Sequence, residues 1–369
     1  MEQLNLWNEL SVNFPNLKEH ESTDWKWSFK DYPEKNGIKV FSCFACGGGS
    51  TMGYKLCGCE VLGDLEIDPR VNSVYVLNHK PKFNYVMDIR DFNKQLIFPH
   101  ELFNLDILDG SPPCTTFSMA GERKENWGKK KKFREGQSEQ TLDDLSFHFI
   151  ETAKILQPKV VIMENVEGLL LGEAWSYVQR IYIDFDNAGY KVNHYLLKGE
   201  SLGIPQRRHR VFFVAVRKDI DFNFDSLDMN FNYKPVTFGQ IRSEHGKEIK
   251  GELTKKRLEN LMPGDQGIGD ITLRTEGKTS DFNTRINWDD EIASTLRAGS
   301  GAIRAFDKTM LSNEDIINLS TFPQDYNFAD QQPNYICGMS VPPLMIKRLV
   351  TRIIESGVFG ESKKVLSND

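Results

Sequence analysis

The chain has 369 residues, 27% of them charged and 39% hydrophobic, a composition that excludes a disordered or fibrous protein. At about 150 residues per domain, that length suggests roughly two to three domains with cores of their own. Lys and Arg number 46 against 52 Asp and Glu, so the net charge of −6 excludes a uniformly basic nucleic-acid coat but not a local basic patch.

In chain order, residues 1–36 form an aromatic-rich arm of unassigned role (Trp7, Phe14, Trp25, Trp27). From residue 37 the pattern becomes short apolar strands alternating with helices. Strands are predicted at Ile38–Phe44, Val61–Ile67, Tyr85–Ile89, Leu105–Asp109, Val160–Glu164, Tyr190–Leu197 and Val211–Val216. Helices are predicted at Ser50–Leu56, Pro69–Leu77, Thr141–Leu156 and Ala174–Asn187. Such alternation predicts an α/β domain over 37–218, with a mostly parallel sheet covered on both faces. Residues 219–301 are glycine-rich and aperiodic, and predict a smaller irregular domain. Regular pattern resumes at Asn313–Leu319, and Val341–Ile354 reads as a helix returning to the first domain, within a 302–358 segment before a 359–369 tail. No apolar run reaches the roughly 18–20 residues of a membrane span, and Met1–Phe14 lacks the regions of a secretory signal. The expected location is cytoplasmic, with six reduced cysteines.

Ligands of parallel sheets sit at the carboxyl ends of the strands, and the distinctive residues fall there. The first strand runs into Phe44-Ala45-Cys46-Gly47-Gly48-Gly49, a turn that brings a ligand towards a helix N-terminus. A nicotinamide fingerprint starting at Gly47 fails by one residue, at Met52 before Gly53. Glu66 ends the second strand, suited to ribose hydroxyls, and Asp88 ends the third, suited to an adenine amino group. Together they predict an adenosine-type ligand. Cys43, Cys46, Cys57 and Cys59 lie close in sequence, but small buried thiols explain them better than zinc, and no metal is expected.

The fourth strand ends in Asp109-Gly110-Ser111-Pro112-Pro113-Cys114, where two prolines stiffen the approach to a thiol, as a nucleophile requires. Gly121–Arg134 carries seven cations against two acids, including Lys129, Lys130, Lys131, Lys132 and Arg134, and predicts phosphate contact. Glu164-Asn165 ends a buried strand, where a carboxyl can act as a proton donor. Alternation before the last strand places Gln206, Arg208 and Arg210 on one face, as a polar cluster beside Glu164.

In this order, over nearly all of residues 38–357, these motifs resemble the DNA (cytosine-5)-methyltransferase family of prokaryotes and phages. Thr321-Phe322-Pro323-x-x-Tyr326 and Gly338-x-Ser340-Val341-Pro342-Pro343 complete the set. The resemblance implies a Rossmann-like S-adenosylmethionine-dependent fold and methylation of C5 of a cytosine flipped out of duplex DNA. By it, Cys114 attacks C6, Glu164 protonates or hydrogen-bonds N3, and Arg208 and Arg210 hold the base. Asn165, Gln206 and Pro113 support the loop, and Phe44, Gly47, Gly49, Glu66, Ile67, Asp88 and Pro112 line S-adenosyl-L-methionine. It also implies that 219–301 recognises the DNA target, that the enzyme is a monomer, and that a cognate restriction endonuclease is a candidate partner in a bacterial or phage-infected cell.

The chain departs from the family at Cys46, usually glycine, at Met339, usually asparagine, and at Glu314 and Asn318, usually arginines. Alternatives are a catalytically inactive or weak methyltransferase-like DNA-binding protein and an RNA cytosine-5 methyltransferase. The latter lacks support because no cysteine falls between Cys114 and Cys337 to give that branch's Cys-Phe-Thr signature. A nicotinamide oxidoreductase gives the Pro-Pro-Cys loop no role.

Overall fold

The computed structural model describes residues 23–113, 144–279, 284–299 and 301–360. Seven strands build the main sheet: β1 (Lys39–Cys43), β2 (Glu60–Glu66), β3 (Phe83–Val86), β4 (Ile107–Gly110), β5 (Val160–Val166), β6 (Tyr190–Lys198) and β7 (His209–Arg217). Between them run α1 (Gly49–Leu56), α2 (Pro69–His79), α3 (Ile89–Phe92), α4 (Leu145–Leu156) and α5 (Trp175–Asn187). The strand order is β3-β2-β1-β4-β5-β7-β6. Strands β1 to β5 pair in parallel, and β7 is antiparallel to both its neighbours, β5 and β6. The order reverses between β1 and β4, which opens a crevice above their carboxyl ends.

Alternation along each strand divides the core in two. Phe41, Leu108, Met163 and Phe213 face α4 and α5, meeting Phe149, Ala153, Ile181 and Phe185. Val40, Ile107, Ile162 and Val214 face the opposite way, towards Tyr54 of α1 and Leu344, Met345 and Leu349 of a helix near the C-terminus. Full burial of each such side chain contributes about 1.5–3 kcal/mol.

The third strand differs from its expected Tyr85–Ile89 span. It ends at Val86, and Asp88 instead caps α3, its carboxylate accepting from Arg90 N at 2.8 Å. An Asp that satisfies an orphan helix N–H makes a stable helix start, and that preference ends the strand here. The helix expected at Thr141–Leu156 begins at Leu145, with 141–143 outside the described residues.

A smaller unit follows, with α6 (Phe238–Ile241), α7 (Glu252–Leu258), α8 (Ile268–Glu276), β8 (Arg285–Asn287), β9 (Ala302–Arg304) and β10 (Thr309–Met310). Its sheet has the order β10-β9-β8, over a core that includes Leu258, Ile268, Ile271, Ile286 and Ile303. This sheet runs across the 301/302 boundary drawn from the sequence, because strands of two or three residues are too short to show a period. Leu227, with Phe222 and Phe224, packs on the main sheet.

The chain returns through α9 (Asn313–Leu319), α10 (Pro333–Met339) and α11 (Pro343–Glu355). The described part of the arm lies against this return, with Trp27 Nε1 donating to Thr321 O at 2.8 Å and Asp24 paired with Lys347 and Arg348. Among the described residues, no helix is long and apolar enough to cross a membrane.

Candidate active site

The turn after β1 is strongly coiled. Phe44, Cys46 and Gly48 all take left-handed backbone conformations, with φ of 55°, 49° and 83°. Cys46 N–H donates to Glu66 Oε2 at 2.9 Å and Asp68 N–H to Glu66 Oε1 at 2.9 Å, so one carboxylate fastens the glycine loop to the end of β2. Burial raises the Glu66 pKa, opposed by these backbone bonds. Gly47 O accepts from Tyr326 Oη at 2.5 Å and lies 3.3 Å from His79 Nε2. Burial holds His79 down to about 3, so its ring is neutral at physiological pH.

Gly47 and Gly49 are required by close packing of the returning chain. A Cβ on Gly47 would lie 2.3 Å from Ile336 Cγ2, and one on Gly49 2.2 Å from Val341 O. The space these glycines leave is taken up by protein. Phe44 packs against the α4 side of the core, its ring 6.5 Å from Phe149. Ile67, 36% exposed, offers an apolar surface beside Glu66. Asp88 accepts from Arg90 Nη1 at 3.0 Å, and Arg90 also pairs with Asp144. A carboxylate at the end of β2, an apolar side chain beside it and a second carboxylate at the start of α3 suit a ribose, an adenine face and its amino group, so the donor set fits an adenosine cofactor.

Cys114, Lys129, Lys130, Lys131, Lys132 and Arg134 lie outside the described residues. The loop leading to Cys114 is described as far as Pro113, with Pro112 buried. Asn165 Nδ2 donates to Pro112 O at 3.4 Å while its Oδ1 accepts from Val166 N. Beside it, Glu164 Oε1 meets Arg210 Nε at 2.7 Å, the two side chains only 11% and 16% exposed. Strands β5 and β7 place them: Glu164 pairs in register with Phe212, two residues from Arg210. Arg210 Nη1 also donates to His209 O at 2.7 Å.

The cluster expected on one face divides. Alternation starts only at His209, where β7 begins, so the sequence rule does not extend back to Gln206. Gln206 is instead a knot between units, donating to Leu319 O at 2.6 Å and accepting from Leu296 N at 3.1 Å. Arg208 is buried, its Nη1 3.3 Å from both Leu296 O and Gly338 O. Burial, then the nearby Arg210 charge, lowers its pKa to about 9. Gly338 must be glycine because a Cβ would lie 2.4 Å from Ala298 N.

The sequence reading missed two groups. His209 lies between Glu167 Oε2 (3.1 Å) and Glu200 Oε1 (2.8 Å). Asp109 accepts from Ser42 Oγ at 2.7 Å and from Tyr54 Oη at 2.9 Å. Only the folded chain brings either set together, through strand pairing and, for Tyr54, the packing of α1 on the sheet, and no local motif announces it.

With this geometry established, comparison with known proteins gives the class. Residues 38–355 match the family model of C-5 cytosine-specific DNA methylases, and the chain belongs to that family. Its class is that of the S-adenosylmethionine-dependent DNA cytosine-5 methyltransferases. The chain is similar to the type II methyltransferase M.FnuDI of Fusobacterium nucleatum, 34% identical over 228 residues, 62% of this chain and 58% of that relative. It is also similar to M.NgoFVII of Neisseria gonorrhoeae, 27% identical over 86% of this chain and 87% of that one. The fold is shared with a putative DNA modification methyltransferase encoded within a prophage (E. coli), at TM-score 0.63 and 17% identity, covering 86% of this chain and 99% of that one.

Proposed function

We propose that this chain methylates C5 of a cytosine rotated out of a specific duplex DNA sequence, through a covalent bond between Cys114 and C6. The observation that carries this reading is the Glu164–Arg210 ion pair, next to Asn165, whose amide holds the carbonyl two residues before Cys114. Bound S-adenosylmethionine supplies an electrophilic methyl group. The Cys114 sulfur forms a bond to C6 and pushes an electron pair towards C5 and N3, where Glu164 protonates or hydrogen-bonds the ring nitrogen. Arg210, and Arg208 behind it, oppose the charge that develops on the ring. C5 then takes the methyl group, loses its proton, and the returning electron pair breaks the C6–sulfur bond. Glu66, Ile67, Asp88, Phe44, Gly47, Gly49 and Pro112 hold the cofactor, and Asn165, Pro113 and Gln206 support the loop and the returning chain.

Residues 219–301 serve as the target-recognition domain, and the Lys129–Arg134 run binds DNA phosphates. The enzyme works as a monomer in the cytoplasm of a bacterial or phage-infected cell, and its likeness to type II methyltransferases makes a cognate restriction endonuclease a candidate partner. Methyl groups labelled on S-adenosylmethionine should appear on C5 of cytosine at one recurrent sequence in duplex genomic DNA, and Cys114→Ser should abolish incorporation. Unlabelled DNA across several genomic substrates would refute the proposal.

A further inference from the structure

Below the crevice between β1 and β4 lies a row of polar side chains that the reaction above does not use. Ser42 pairs in register with Asp64 on β2 and with Asp109 on β4, so three polar residues occupy one row, one step below the carboxyl ends of β1 and β4. Asp109 is buried and receives Ser42 Oγ on one oxygen and Tyr54 Oη on the other. Tyr54 lies on α1, whose N-terminus is the glycine loop, and Ser42 lies two residues before Phe44. Asp109 itself stands three residues before Pro112. One carboxylate therefore connects the strand and helix that carry the cofactor loop with the strand that carries the nucleophile loop.

Among the described residues, no Lys, Arg or His forms an ion pair or hydrogen bond with Asp109. The other groups that feel its charge are Glu164 of β5, Cys43 of β1 and Tyr75 of α2, none of them cationic. From α11, the same core receives Leu344, Met345 and Leu349. A buried carboxylate without a counter-ion is costly unless something positive approaches it. S-adenosylmethionine has a positively charged sulfur, whereas S-adenosylhomocysteine, left after methyl transfer, has a neutral one.

We infer that Asp109 is the buried charge by which this cleft favours S-adenosylmethionine over S-adenosylhomocysteine, with Ser42 and Tyr54 governing when that charge is present. The inference rests on S-adenosylmethionine being the cofactor. Burial pushes the Asp109 carboxyl up to about 7, opposed by the two hydroxyl donors, so the charge appears as pH rises through neutrality. Asp64, donated to by Asn72 and Asn84, is also pushed up to about 7 by burial and is the rival source of any such effect.

Calorimetric dissociation constants for both ligands, without DNA, between pH 6 and pH 8.5 test the inference. The positive sulfur lowers the α-amino pKa of S-adenosylmethionine relative to that of S-adenosylhomocysteine, so each free ligand is titrated separately and its constants corrected for amine ionisation, which leaves a ratio that reports the charge on sulfur. In the unaltered protein the preference for S-adenosylmethionine should rise roughly three- to tenfold across this range. In Asp109→Asn, which loses the charge and keeps one oxygen to accept from one of the two hydroxyls, the ratio should not change with pH, and in Tyr54→Phe the midpoint should move upward. A pH-dependent ratio retained in Asp109→Asn, or abolished only by Asp64→Asn, overturns the inference. If Asp109→Asn does not fold, an unmoved midpoint in Tyr54→Phe overturns it instead. Absence of S-adenosylmethionine binding at every pH overturns the cofactor assignment itself.

Discussion

Glu164 and Arg210 are largely buried at 2.7 Å, so the energy at stake is that of a stranded charge. Removing one partner of a buried ion pair leaves the other desolvated without compensation. Arg210→Ala should therefore cost about 3 kcal/mol of stability in denaturant unfolding, and Arg210→Lys should cost less. His209 makes a pH-dependent contribution. Its bond to Glu200, with help from Glu167, raises its pKa above the usual 6.5 despite partial burial. A raised folded-state pKa stabilises fully below the unfolded value and is lost as pH rises through the folded one. Thermal melts of the unaltered protein should lose stability from about pH 6.5 upward relative to His209→Gln, and parallel melting curves for the two would contradict this. Departures from the family pattern also act at this scale. Asn318, where the family has an arginine, donates to Ile241 O at 2.8 Å and accepts from Gln324 Nε2, tying α9 to α6. Cys46, where the family has glycine, holds a left-handed conformation by donating to Glu66.

Among elements, the contact of α1 with α11 supports the cofactor loop from behind. Gly53 makes that contact possible, since a Cβ there would lie 2.4 Å from Ile346 Cβ and 2.5 Å from Pro343 O. Backbone and a β-branched stem cannot swing aside, so overpacking should separate the helices. Gly53→Ala should lower stability by about 2 kcal/mol in urea unfolding and weaken cofactor binding with it. Elements of the main sheet are legible in the sequence because strands buried on both faces read as uninterrupted apolar runs, as in Val160–Met163 and Val211–Val216. Asp88 shows where that legibility fails: a cap and a strand end look alike until a hydrogen bond chooses between them. Strands β8, β9 and β10 were not legible at all, because two or three residues are too few to show a period.

For the whole molecule, motif order conveys more than composition. A net charge of −6 gives no sign of a DNA partner, while the ordered glycine loop, strand-end acids, Pro-Pro-Cys loop and Glu164-Asn165 point to one chemistry. What sequence could not reveal is the joining of units. Gln206, expected in the reactive cluster, fastens Leu296 and Leu319 to the main domain, a role visible only once both segments are in place. The phosphate contact proposed for Lys129, Lys130, Lys131 and Lys132 also belongs to the whole molecule, because such a contact acts on any DNA sequence. Replacing the four with glutamine should weaken binding to all duplexes alike and reduce the slope of log affinity against log salt by about 3–4. An unchanged slope would remove this run from the DNA surface.

In the proposed reaction one sulfur adds to the cytosine ring. The direct measurement is intact-mass and peptide mass spectrometry of the enzyme incubated with S-adenosylmethionine and duplex DNA containing 5-fluorocytosine at the methylated site. Fluorine cannot leave as a proton does, so a stable protein–DNA adduct mapped to Cys114 should form, and form more slowly with Glu164→Gln. A methylated product with no adduct, or an adduct on any other residue, would contradict it.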